Sequence, residues 1–372
     1  MKEIKRIIFS GGGTGGHIYP AMALYRRMKE KNPELEVLYI GTKRGLESAI
    51  VPKAGLNFDS IEIEGIKRSL SLENLLVGYK MLAATHKAKK IIREFNPDVV
   101  VGTGGYVCGP VILAASRLGI PTLIHEQNSI AGITNKFLAR FVDKIAICFD
   151  DVRKDFKKYT HKIQLTGNPR GQEACQIKSD SMILSREFDL DNSKRTLLIF
   201  GGSRGAPAIN QAALEGIDHW LKSNYQVIIV TGQDHYSSLD QKKLEEINSS
   251  ANVRVLAYID NMPELFPVID LVVCRAGATT LTELTALSLP SILIPSPYVT
   301  ANHQEANAQS LVKESAAEMI LEKDLNHERL EEMVDRLMHD GISLDTMSKN
   351  AGRLGIRDAS DRIIKLLENI KD

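Results

Sequence analysis

Five glycines and a threonine stand directly ahead of a histidine in SGGGTGGHIYP, Ser10 to Pro20. An imidazole titrates close to working pH, so His17 is a candidate general base. A loop that only turns the chain needs one or two glycines. A denser run brings backbone close to a ligand or to another backbone. The same residues also fit a histidine that packs, or that binds an anion. A second group is LIHEQNSIAG, Leu123 to Gly132, where an apolar run ends in four polar side chains. Glu126 there is the rival base, and Asn128 is either a ligand contact or the cap of a following helix.

Several other stretches suit phosphate chemistry. Gly11, Gly13 and Gly16 match G-x-G-x-x-G, but the next apolar run ends in Gly41-Thr42-Lys43-Arg44 instead of the acid that would hold an NAD ribose. Lys43 or Arg44 would suit a 2′-phosphate, which keeps an NADP-binding oxidoreductase as an alternative. GGSRG, Gly201 to Gly205, offers backbone amides and the Ser203 hydroxyl at a helix start, where anions gain roughly 0.3–1 kcal/mol per charge. The plainer reading makes Ser203 an ordinary N-cap. In CRAGATTLTELTALSLP, Cys274 to Pro290, Thr280-x-x-Glu283 reads as a capping box. Alternatively, Glu283 accepts both hydroxyls of a ribose. VGTGGYVCGP, Val101 to Pro110, adds a further glycine loop carrying Gly104, Gly105 and Tyr106, with Pro110 in a helical first turn.

These loops need a scaffold, and the chain reads as parallel α/β. Apolar runs alternate with helical patterns. Strands are predicted at Arg6–Ser10, Glu36–Ile40, Val99–Gly102, Thr122–His125 and Lys144–Ile147, then at Thr196–Phe200, Gln226–Val230, Arg254–Ala257, Asp270–Cys274 and Ser291–Ile294. The length of 372 residues suits two domains. KRIIFSGGGTGG and KRTLLIFGGSRGA open the two halves alike, so two Rossmann-like domains facing across a cleft are expected. The polar stretch Cys175–Lys194 reads as the connection.

Composition narrows the class. At 43% hydrophobic and 25% charged residues the chain is globular. A net charge of +1 supplies no general drive toward nucleic acid, so no nucleic-acid partner is expected. Four cysteines without C-x-x-C spacing fit reduced thiols in a cytoplasmic protein and weigh against structural zinc. No leader peptide or membrane span is predicted.

Taken together, the motifs GGTGGH (12–17), GTGGYVCGP (102–110), HEQN with AGITNK (125–136), GNPR (167–170), GGSRGA (201–206), YID-x-M (258–262), CRAGATTLTE (274–283) and HQEANA (303–308) resemble the MurG family. These N-acetylglucosaminyltransferases complete the lipid-linked precursor of bacterial peptidoglycan. The resemblance runs in order over some 300 residues. It implies a GT-B fold of two domains, 1–165 and 166–348, with a terminal helix in 349–372 returning to the first. It implies UDP-GlcNAc as donor and undecaprenyl-pyrophosphoryl-MurNAc-pentapeptide (lipid I) as acceptor, giving lipid II by inversion.

Matching positions imply donor contacts from Thr14, Gly15, Gly16, Asn128, Arg170, Ser203, Ile259, Ala278, Thr279, Thr280, Leu281, Thr282, Glu283 and Gln304. Uracil would meet backbone near Ile259, the ribose Glu283, and the sugar hydroxyls Asn128 and Gln304. The resemblance also implies an acceptor loop at Gly104, Gly105 and Tyr106, and His17 or Glu126 as base. The family commonly has GNP-x-R where this chain has GNPR, so Arg170 is displaced by one residue.

The lipid acceptor implies a peripheral protein on the cytoplasmic face of the bacterial membrane. Ile66–Phe95 is the expected contact. Leu70, Leu72, Leu75, Leu76, Tyr79 and Leu82 sit there among seven basic residues, against only Glu73 and Glu94. A core-packed amphipathic helix would read the same way. The one D-x-D, Asp189-Leu190-Asp191, reads as a solvated turn, and metal-independent chemistry without cofactor is expected.

Overall fold

A computed structural model of the chain describes residues 3–63, 73–178, 180–202, 205–260 and 262–371, with the side chains of 73–79 excepted. It divides into two compact units, residues 1–172 with 356–372, and residues 173–355. The division falls seven residues beyond each boundary placed in the sequence, and it puts Arg170 in the first unit.

The first unit is built on a seven-stranded parallel sheet in the order β3-β2-β1-β4-β5-β6-β7. The strands are β1 (Arg6–Gly11), β2 (Glu36–Gly41), β3 (Asn57–Ser60), β4 (Val99–Gly104), β5 (Thr122–Glu126), β6 (Lys144–Ile147) and β7 (Ile163–Leu165). Ile7, Ile8, Phe9, Val99, Val100 and Val101 are fully buried on both faces of the central strands. Covering helices make an unbroken apolar run the stable solution there.

The helix Ala359–Lys371 belongs to this unit and buries Ile363, Ile364 and Leu367 in the core around β1. Asp361 clasps it to the helix Gly15–Lys31 through Arg27 and Lys31. Partial burial alone would raise the Asp361 carboxyl, but hydrogen bonds from Arg27, Lys31 and Gln172 bring its pKa down to about 2.

The second unit carries six parallel strands ordered β10-β9-β8-β11-β12-β13. They are β8 (Thr196–Phe200), β9 (Gln226–Val230), β10 (Val253–Leu256), β11 (Leu271–Cys274), β12 (Ser291–Leu293) and β13 (Glu318–Met319). Its core gathers Leu197, Ile199, Val227, Ile229 and the fully buried Trp220. The stretch expected to be a bare connection contains a helix, Ile183–Phe188, and Arg254 donates to the carbonyls of Phe188 and Asp189 to tie it down. Asp189 is that helix's left-handed C-cap and Leu190 is buried, so the D-x-D motif is a turn.

Candidate functional site

Each sheet has one place where the strand order reverses, between β1 and β4 in the first unit and between β8 and β11 in the second. Loops leaving the carboxyl ends of such strands splay apart and open a crevice. The glycine loops after β1, β4 and β8 and the helix Ala278–Ala286 after β11 lie at these two places, whereas Asn128 follows β5, Arg170 follows β7, Ile259 follows β10 and Gln304 follows β12.

In the first unit the glycines do three different jobs. Gly12 donates from its amide to the Gly104 carbonyl at 3.2 Å, clipping the loop after β1 to the loop after β4. A side chain at Gly105, which has φ +83°, would come within 2.5 Å of the Gly12 carbonyl oxygen. Gly11 and Gly104 make room for polar side chains: a Cβ would lie 2.2 Å from Thr103 Oγ1 and 2.4 Å from His17 Nδ1, respectively. Gly13, at φ +85°, meets nothing within 4 Å. Its backbone conformation, with open space around it, is what favours glycine there.

Beneath the loop lies a residue that sequence reasoning missed. Glu47 is fully buried, accepts the Thr42 amide and hydroxyl at Oε1, and accepts the Gly13 amide at Oε2. The signal was there, an acid five residues past the GT that ends β2. A search for an acid at the strand end itself looks too early for it. Lys43 and Arg44 are exposed beside it.

His17 is the third residue of the helix Gly15–Lys31, whose N-cap Thr14 makes no side-chain capping bond and whose first turn holds no acid. That helix start favours anions. The half-buried imidazole has Nδ1 3.1 Å from the Thr103 carbonyl oxygen and 3.2 Å from Gln127 Oε1. The pairing of β1 with β4 shifts register between Ser10 and Gly11, which frees the Thr103 carbonyl from the regular ladder. Three neighbouring strands, β1, β4 and β5, thus converge on one ring.

Glu126, the other candidate base, is used differently. Its buried carboxylate accepts from Asn128 N at 3.1 Å, Asn128 Nδ2 at 3.4 Å, Gly132 N at 2.9 Å and Asn135 Nδ2 at 2.8 Å. Four N–H donors saturate its two oxygens, so it holds the loop that carries Asn128. The following helix is capped by Gly132, which removes the capping role considered for Asn128. Arg170 is the second residue of the helix Pro169–Gln176, and its guanidinium lies 6.0 Å from the ring centre of Tyr19, beside the first glycine loop. Tyr106 is exposed at the turn into the helix Cys108–Arg117. Cys108 donates to Ser10 O and Gly104 O, and burial pushes its thiol up to about 12, so it supports the loop as a neutral group.

In the second unit the loop after β8 has Gly202 and Gly205 at positive φ, and a Cβ on Gly205 would lie 2.4 Å from the Thr231 carbonyl oxygen. Ser203 lies outside the described residues. The N-cap of the next helix, Pro207–Glu215, is Ala206, so the capping position considered for Ser203 is already filled.

The helix Ala278–Ala286 is capped by Gly277, not by Thr280, which corrects the capping-box reading. Thr280 and Glu283 therefore sit inside the helix, with Glu283 buried. Thr282 turns its hydroxyl back on Ala278 O, Leu281 is core, and the buried Thr279 Oγ1 has no hydrogen-bond partner among the described residues. A buried hydroxyl left unpaired is costly unless a ligand satisfies it. Burial, with the charge of Glu283 adding to it, raises the Cys274 thiol far above its ordinary range. Gln304 accepts the Ser296 amide at 2.9 Å beyond β12, and the half-buried Ile259 lies in the loop after β10.

Among the described residues no group of three or more His, Cys, Asp or Glu is arranged to hold a metal ion. No helix among them is long and apolar enough to cross a membrane.

Comparison with known proteins agrees with this geometry. Residues 7–147 match the glycosyltransferase family 28 N-terminal domain, and residues 196–363 match the glycosyltransferase family 28 C-terminal domain. The chain is 50% identical over 365 residues to the UDP-N-acetylglucosamine–N-acetylmuramyl-(pentapeptide) pyrophosphoryl-undecaprenol N-acetylglucosamine transferase 2 of Bacillus thuringiensis (strain Al Hakam), covering 98% of this chain and 99% of that one. The corresponding Listeria monocytogenes transferase is 49% identical over the same shares. Among solved structures it is similar to Acinetobacter baumannii MurG, with TM-score 0.76 and 27% identity over 98% and 99% of the two chains. A putative UDP-N-acetylglucosamine 2-epimerase from Listeria monocytogenes shares the fold, with TM-score 0.69 at 15% identity over 99% and 96%. The chain belongs to glycosyltransferase family 28 and has its GT-B fold.

Proposed function

From that membership we propose that the chain transfers GlcNAc from UDP-GlcNAc, with inversion, to the 4-hydroxyl of MurNAc in undecaprenyl-pyrophosphoryl-MurNAc-pentapeptide, forming lipid II. The observation that carries this reading is 50% identity over 98% of the chain to transferases so named, with the family's glycine loops leaving the strands at the switch point of each sheet.

His17 takes the proton from the attacking hydroxyl as the oxygen bonds to the anomeric carbon and the bond to UDP breaks. The saturated hydrogen bonding of Glu126 supports His17 over it as the base. Glu283 binds the ribose, Ile259 the uracil, and Asn128 and Gln304 the sugar. Thr279 finds in the donor the partner its hydroxyl lacks. Ser203 with the amides of its loop, and Arg170, hold the diphosphate. Gly13 and the uncapped helix start after it admit the acceptor pyrophosphate, with Gly104, Gly105 and Tyr106 alongside. The amides of the Ser203 loop stabilise the departing charge without a metal ion. Activity abolished by EDTA and restored by magnesium would contradict that part.

The protein works peripherally on the cytoplasmic face of the membrane. Of the Ile66–Phe95 contact, residues 66–72 and the side chains of 73–79 lie outside the described residues, including Leu70, Leu72, Leu75, Leu76 and Tyr79. Leu82 is described and is 65% exposed on the helix Glu73–Phe95. That helix and the helix Ile133–Leu138 flank Gly109 through Met81 and Thr134, and the latter presents Ile133 at 72% exposure and Phe137 under Arg140. Three cations at an anionic surface would contribute about 3 kcal/mol.

The test is product identification: labelled UDP-GlcNAc and a lipid I analogue should give a β-linked disaccharide lipid by mass spectrometry and NMR. Formation of UDP-ManNAc without any need for the acceptor would overturn the reading.

A further inference from the structure

Gln127 stands between two histidines, and its contacts assign every proton along the line. Its Nε2 is 2.7 Å from the Thr103 carbonyl oxygen and 3.2 Å from the His125 carbonyl oxygen. Exchanging the amide oxygen and nitrogen would set an oxygen against both carbonyls, so the orientation is determined. The Gln127 atom facing His17 Nδ1 is therefore Oε1. The Thr103 carbonyl faces the same nitrogen. Both oxygens can only accept, so Nδ1 carries the ring proton and the lone pair of neutral His17 lies on Nε2.

The other side of Gln127 follows the same logic. Its Nε2 is 2.9 Å from His125 Nδ1, which must accept. His125 Nε2 is 3.0 Å from the Gly167 carbonyl oxygen and must donate, with Cys148 Sγ at 3.3 Å as a second, weak acceptor. Burial pushes the His125 pKa down to about 4, so the ring stays neutral and keeps the acceptor nitrogen that Gln127 needs. Gly167, at φ +75°, packs where a Cβ would be 2.7 Å from Ile356 Cβ, which fixes the carbonyl at the far end.

We infer that His125 and Gln127 are positioning residues, a hydrogen-bond line from the Gly167 carbonyl to His17 that holds the base in the tautomer with its lone pair on Nε2. The inference rests on the proposed reading of His17 as general base. When the sugar hydroxyl proton moves to Nε2, the electron pair of the O–H bond forms the new glycosidic bond. The pair of the broken bond leaves with UDP. The imidazolium then shares its Nδ1 proton with Gln127 Oε1 and Thr103 O, two acceptors already in place.

The experiment is long-range 1H–15N NMR on the full chain carrying 15N-histidine, with His17→Gln and His125→Gln used to assign the rings. The expected result is a pair in opposite tautomers, His17 protonated on Nδ1 and His125 on Nε2. His17 protonated on Nε2, or His125 on Nδ1, overturns the inference whatever the enzyme does.

Gln127→Met supplies the second arm, with its folding checked by thermal melting. It should populate both His17 tautomers and lower kcat by about tenfold, within the span of base catalysis, with the donor KM unchanged. Wild-type kcat with a single His17 tautomer would mean that the Thr103 carbonyl suffices, and would overturn the role of Gln127. Opposite tautomers in a wild-type chain that transfers no sugar would sink the functional reading and leave the hydrogen-bond line standing.

Discussion

The glycine loop after β1 and the glycine loop after β8 open their sheets with similar residues, but their surroundings are satisfied in different ways. Around the first, polar groups are answered from within the protein: Glu47 holds the Gly13 amide, Glu126 takes four N–H donors, and Gln127 faces His17. Near the second, the buried Thr279 Oγ1 has no hydrogen-bond partner among the described residues, a state shared in the first unit by Asn135 Oδ1 and Asn168 Nδ2. On the proposed reading, the first unit is organised in advance to move a proton, and the second leaves the Thr279 hydroxyl for the donor to meet. Preorganised dipoles act in the transition state, and unpaired groups act in ground-state recognition. On that reading the two units divide the labour between chemistry and donor binding.

The largest expected effect is that of His17→Ala. It should lower kcat by about 10²–10⁴-fold, the range for a lost general base, while calorimetry finds the donor bound as before. Loss of donor affinity by a similar factor would break the division.

Acid should then separate the two units. The His125 pKa of about 4 lies below its unfolded value near 6.5, so the unfolded chain binds more protons between those limits. Its contribution is complete above pH 6.5 and is lost as pH falls toward 4, by about 3 kcal/mol. Amide exchange at Phe9 and Ile124 in the first unit should accelerate across that window. Trp220, the single tryptophan, reports on the second unit, and its fluorescence should change later. Simultaneous loss would erase the contrast.

Glu126→Gln places an amide nitrogen against N–H donors at one of its two oxygens, at a cost of about 1–3 kcal/mol for the broken buried bonds. A lowered melting temperature should accompany the fall in activity. Full stability with activity gone would make Glu126 the base and reverse the assignment.

The smallest effect is the sharpest about the second unit. Thr279→Val removes a hydroxyl that has no partner among the described residues, so the free protein should be as stable or slightly more so. Donor affinity should weaken by about 1 kcal/mol, one net hydrogen bond. Unchanged donor affinity would show that Thr279 does not meet the donor.

Much of this was legible in the sequence, and the physical reasons differ by element. Central strands such as β1, β4 and β8 are apolar on both faces and announce themselves. The edge strands β3, β7 and β13 are short, and NFDS, IQL and EM carry too little pattern to read. The motif glycines pointed to the right loops, but their separate uses depend on long-range approaches such as Gly105 to Gly12. Thr280-x-x-Glu283 fits a capping box by spacing alone, and only the backbone at Gly277 shows that the helix starts earlier. Glu47 escaped because an acid in a helical first turn is usually a surface feature. Its burial follows from the fold of the neighbouring loop, and sequence spacing does not carry that information.

The most direct test of the account is UDP release from UDP-GlcNAc in EDTA, measured with and without a lipid I analogue. UDP release is expected only when the acceptor is present. Release without acceptor, or none under either condition, would contradict it.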